Sequence, residues 1–108
     1  MKLRCTLVLP GPVDVSAHKV EVLIEDVTRA DDPAVTIARV LVPAGSLPRA
    51  GNRLGPVGLE FAPPQGRERY VVRARLMVGQ HLAAGDLLTT TAIPASGADS
   101  VELPLTRV

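Results

Sequence analysis

Three aspartates stand within seven residues in the stretch EDVTRADDPAVTIARV, Glu25 to Val40: Asp26, Asp31 and Asp32. Oxygen ligands clustered in this way are what a calcium loop is made from. An EF-hand loop needs them at alternate positions, with a central glycine and a closing glutamate. DVTRADDPAVTI, residues 26–37, has neither the glycine nor the glutamate. Aspartates in links commonly bond the backbone two residues on, and Pro33 fixes its own φ while pushing Asp32 towards extended geometry. Asp26, Asp31, Asp32 and Pro33 therefore read as a structural turn spanning Thr28 to Ala34, with no metal. Asp26 continues the inward phase of Val20, Val22 and Ile24, so its carboxylate needs a partner. The amides of the turn are the first choice, with Arg29 or Arg39 the second.

The other candidate groups are dispersed. His18 stands at a strand start and His81 in a link, so a metal or proton-relay role would need them to converge. Cys5 falls in core phase and reads as a small buried hydrophobe. Ser16, Ser46, Ser96 and Ser100 lie in turns without the strand-to-helix elbow of a nucleophilic serine. Arg73 and Arg75 are two residues apart on one strand face, about 7 Å along it. They are candidate contacts for an acidic partner, although cross-strand pairing with Glu21 or Glu60 is the better reading. No catalytic residue and no cofactor site follow from these groups.

Composition narrows the function further. Twelve basic and eleven acidic residues give a net charge of +1, which creates no field for nucleic acid or anionic lipid. There is no Trp, one Phe and one Tyr. Surfaces that bind single strands or sugars stack rings on several aromatic platforms, and here Phe61 and Tyr70 both fall in core phase. The lone cysteine forms no internal disulfide. No run approaches the ~18 apolar residues of a membrane helix. The start MKLRCTLVLPGP alternates like a strand, so as given the chain reads as cytoplasmic. It would be periplasmic or lipid-anchored had a signal peptide been removed.

The elements that position these residues are strands. Leu3, Cys5, Leu7 and Leu9 alternate with Lys2, Arg4, Thr6 and Val8, and Val20, Val22 and Ile24 with Lys19, Glu21 and Glu25, Leu23 being the one apolar residue on that outer face. Val35, Ile37 and Val40 to Val42 form a third strand. Residues 45–56 are too rich in glycine and proline for an element, and Val57, Leu59 and Phe61 alternate after them. RYVVRARLMV, 69–78, is the longest strand, with Tyr70, Val72, Ala74, Leu76 and Val78 inward. LLTTTAI (87–93) and VELPLTRV (101–108) follow. Pro104 cannot donate to a ladder, which puts the last strand at an edge or at a bulge. Seven to eight short strands with turns every 8–15 residues predict an all-β, antiparallel β-sandwich in a single domain, 1–108. A chain of this length buries roughly 65% of its unfolded surface, enough for a core without staples. Tyr70, in the inward phase, is expected to bury its ring and bond its hydroxyl to backbone.

The pattern V-x-V-x-I-x-D-V-T-x-A-D-D-P-A-x-x-I-A over Val20 to Ala38 resembles the YbaY/YscW family of small bacterial lipoproteins, which includes pilotins of type III secretion. F-A-P at 61–63, R-Y-V-V-R-A-R-L at 69–76 and V-E-L-P-L-T-R-V at 101–108 agree with it. The resemblance spans nearly the whole chain and implies a compact β-sandwich without known catalysis. Some members escort an outer-membrane secretin by binding its end. The usual lipobox is lacking, since Cys5 follows Met1-Lys2-Leu3-Arg4. The expected function is a non-catalytic protein-binding or assembly module that presents a strand edge or sandwich face to a partner, with homo-oligomers through edge strands also open. The alternative is a small enzyme or ligand-binding accessory with a pocket between the sheets or under residues 45–56.

Overall fold

The computed structural model describes residues 1–29, 31–95 and 99–108. Ala30 in the acidic turn and Ser96 among the serines lie outside these. The elements in order are β1 (Lys2–Val8), β2 (Lys19–Asp26), β3 (Val35–Pro43), a single 3-10 turn (Ala44–Ser46), β4 (Arg49–Ala50), β5 (Arg53–Glu60), β6 (Tyr70–Met77), β7 (Leu87–Leu88), β8 (Ile93–Pro94), β9 (Ser100–Pro104) and β10 (Thr106–Arg107). They form two sheets, ordered β4-β5-β1-β9 and β10-β7-β6-β2-β3, with β8 also on β6. The molecule is an all-β sandwich.

Period-two alternation places one apolar row from each sheet in the interior. Leu3, Cys5, Leu7 and Leu59 from the first sheet meet Val20, Val22, Ile24, Val72, Ala74 and Leu76 from the second, all at 2% exposure or less. The pairings are antiparallel with one exception: β9 runs parallel to β1, at the sheet edge. Pro104 therefore sits on an edge strand, where its missing N–H costs no ladder bond.

Four expectations need correction. The segment 45–56 is not structureless: β4 and β5 make a tight hairpin around Gly51, and β5 begins at Arg53, not Val57. Opposite β1, β5 carries a register shift between Val57 and Leu54. Gly55 lies there at φ 130°, where a Cβ would come within 3.0 Å of the Cys5 carbonyl oxygen, so the position needs glycine. LLTTTAI is not one strand. It leaves β6 after Leu88 and returns at Ile93, while Thr89 keeps a hold on β6 through Oγ1, which accepts from Ala74 N at 3.2 Å. VELPLTRV likewise divides at Leu105, with β9 in one sheet and β10 in the other. Finally, β3 at nine residues exceeds β6 at eight, and Val78 lies beyond the end of β6, exposed at 55%.

Candidate functional site

Asp26 ends β2, and the acidic turn is built on it. Its Oδ1 accepts from Thr28 N at 2.9 Å and from the Thr28 hydroxyl. These two bonds, the hydroxyl first, hold the Asp26 carboxyl below its ordinary value. Thr28 Oγ1 in turn accepts from Arg69 N at 3.0 Å, which ties the turn to the segment entering β6. Asp32 lies 3.4 Å from Arg29 Nη1, and Asp31 is exposed. A cleft of about 380 Å³ opens here, lined by Asp26, Arg29, Asp32, Pro33, Val35 and Glu68. Glu68 accepts from Gln65 N at 3.0 Å and from the Tyr70 hydroxyl at 3.3 Å. Three of the carboxylates at this cleft thus have local donors. Among the described residues no three His, Cys, Asp or Glu side chains are grouped to hold a metal.

Tyr70 is buried, with its ring centroid 6.1 Å from that of Phe61. The hydroxyl bonds the Glu68 carboxylate, not backbone as expected. The ring enters the core at the start of β6, so its oxygen emerges at the rim, where a side chain two residues back reaches it.

The outer face of the second sheet carries a second set of charges. Register sets them in rows: Arg39, Leu23 and Arg73 across β3, β2 and β6, then Leu41, Glu21 and Arg75. Leu23 is only 7% exposed although it faces outward, because two arginine stems flank it. Arg39 binds Glu21 at 2.7 Å, Arg75 approaches the same carboxylate at 3.8 Å, and Arg73 binds Glu25 at 2.6 Å. The pairing expected with Glu21 therefore forms and that with Glu60 does not. Glu60 lies in the other sheet opposite Lys2. Arg73's partner is Glu25, which the sequence reading missed, because register across two strands selects it.

At one end of this face a groove of about 380 Å³ is lined by Lys19, Glu21, Arg39, Leu41, Met77 and His81. His18 is half-buried at the start of β2 with its Nδ1 unpartnered, and His81 is exposed. None of the five surface cavities described is lined by residues 45–56. Cys5 is fully buried, and burial pushes its thiol up to about 12.

No family model matches the sequence, and no curated protein matches it significantly. Among solved structures, an alternative pilotin from the type II secretion system of Vibrio cholerae superposes with a TM-score of 0.80 at 20% identity, over 100% of this chain and 96% of that one. The chain has a pilotin-like fold. At this identity the likeness speaks for the fold, and the residues of any site must be argued from the chain itself.

The structural feature that bears on partners is the outer edge of β3. It ends its sheet, pairs only with β2, and receives no other backbone hydrogen bond among the described residues. Val35 and Leu41 on it are exposed at 60% and 47%. The other edges are two-residue strands or, in β9, a five-residue strand ending in proline.

Proposed function

We propose that this chain is a non-catalytic assembly module that binds a protein partner by strand addition along β3. The observation that carries this reading is the nine-residue free edge, whose unpaired N–H and C=O groups are a template for another strand. A Pro43 at its end and one bulge at Ile37 are its only interruptions. The fold shared with a secretion-system pilotin supports the reading, and the family resemblance suggests an outer-membrane secretin as the partner.

The test is binding of the secretin from the same organism's secretion system, measured by surface plasmon resonance. Val35→Glu combined with Leu41→Glu places two carboxylates on the edge at positions already exposed. Binding is expected to weaken at least tenfold, a change of about 1.4 kcal/mol, with the melting temperature unchanged. Absence of binding by the unaltered chain, or binding indifferent to the double substitution, overturns the proposal.

A further inference from the structure

We infer that the segment received by β3 is an extended peptide alternating apolar residues with carboxylates, its carboxylates held by the cationic outer face. This rests on the strand-addition reading above and adds the chemistry of the partner.

The two faces of β3 ask for different side chains. Ala38, Val40 and Val42 point inward and are only half-buried, although they pack on the core. A strand laid along β3 sets its own inward side chains about 5 Å from these, so apolar residues there complete the burial. The outward row of β3 presents Arg39 and Leu41. Behind it the outer face holds Lys19, Arg39, Arg73 and Arg75 against Glu21 and Glu25, four cations to two carboxylates. Lys19 has no ion-pair partner among the described residues, and Arg75 is 3.8 Å from its nearest carboxylate oxygen. The groove of about 380 Å³ that begins at Arg39 and Leu41 brings Lys19 and His81 to the same place. Side chains of a strand alternate faces with period two, so apolar inward and acidic outward positions fall on alternate residues.

A second copy of the chain fits the same edge poorly. Full antiparallel pairing of β3, Val35–Pro43, with its twin is centred on Arg39 and sets two guanidinium groups opposite each other. Like charges in that position are destabilising.

The experiment uses three capped nine-residue peptides alternating valine with glutamate, serine or lysine, followed by fluorescence anisotropy. The glutamate peptide is expected to bind at least tenfold more tightly than the serine peptide, and the lysine peptide more weakly still. The preference should shrink as salt rises. Lys19→Glu is expected to remove most of it without changing the melting temperature. N-methylation of alternate amides in the glutamate peptide is expected to abolish binding. Equal affinity for glutamate and serine peptides, both lost on N-methylation, overturns the acidic preference and leaves strand addition standing. A glutamate preference that survives N-methylation overturns strand addition and with it this inference. Failure of every peptide to bind overturns both. Concentration-dependent dimerisation that the Val35→Glu and Leu41→Glu pair removes would make a second copy the occupant and also overturn the inference.

Discussion

Arg39 reaches diagonally from β3 to Glu21 on β2, its Nε donating to Oε2 at 2.8 Å while Nη2 lies 2.7 Å from the same oxygen. The Glu21 side chain is 8% exposed and that of Arg39 54%, so the pair joins a nearly buried carboxylate to a half-solvated guanidinium. It locks the edge strand to its neighbour on the face that strand pairing leaves unsupported.

A double-mutant cycle of Glu21→Gln and Arg39→Gln is expected to give a coupling of about 1 kcal/mol, the upper end for pairs of this exposure. The same cycle with Arg75→Gln should give less, because Arg75 stands 3.8 Å away. Denaturant melts of the three single and two double variants measure both. Equal couplings would mean that the two arginines share Glu21 evenly.

Asp26 is proposed to organise the turn, and its variants should separate from those of its neighbours. Asp26→Ala is expected to lower the melting temperature more than Asp31→Ala, because Asp26 holds Thr28 twice and Asp31 is exposed. The folded Asp26 carboxyl lies below its ordinary value of 3.8, so its stabilising contribution is present above that value and fades as pH falls through the folded one. The gap between wild type and Asp26→Asn in melts at pH 7 should therefore close towards pH 3. Millimolar calcium, magnesium or zinc should leave the melting temperature unchanged. A metal-dependent rise, abolished by Asp26→Ala, would make the turn a binding site.

Tyr70, the single tyrosine, allows a direct titration. Burial first, and then the Glu68 charge, raise its phenol above the ordinary 10.0. Absorbance at alkaline pH should show ionisation later than in the unfolded chain, and Glu68→Gln should bring it part of the way back. The sign for stability follows: the contribution is whole below the unfolded value and is lost as pH climbs through the folded one. Tyr70→Phe keeps the ring beside Phe61 and is expected to shift the melting temperature by no more than about 2 °C.

The Cys5 thiol should be inert in the folded protein. It is fully buried in β1, and burial pushes it up to about 12 from an ordinary 9.0. A thiol reagent at pH 8 should label the native chain no faster than it unfolds and the denatured chain at once. Between about pH 9 and 12 the unfolded thiol ionises while the folded one stays protonated, so stability should decline over that window. Rapid labelling of the native protein would place Cys5 at the surface.

Much of the sandwich is legible along the chain. Leu3, Cys5 and Leu7 alternate with Lys2, Arg4 and Thr6, and Val20, Val22 and Ile24 keep the same period despite the apolar Leu23 between the last two; alternation is a local property that survives without knowledge of the partner strand. Asp26 bonding the amide of Thr28 was likewise foreseeable, since both groups lie in one turn. The tertiary structure alone decided the rest. Which arginine meets which glutamate depends on the registers of three strands, so Glu25 and not Glu60 answers Arg73. The division of VELPLTRV at Leu105 depends on two sheets competing for one segment, and alternation reads the same through the crossing. The free edge of β3 and the groove beside it depend on strand order. Strand order is set by contacts between residues far apart in the chain, and a pattern of period two carries no record of them.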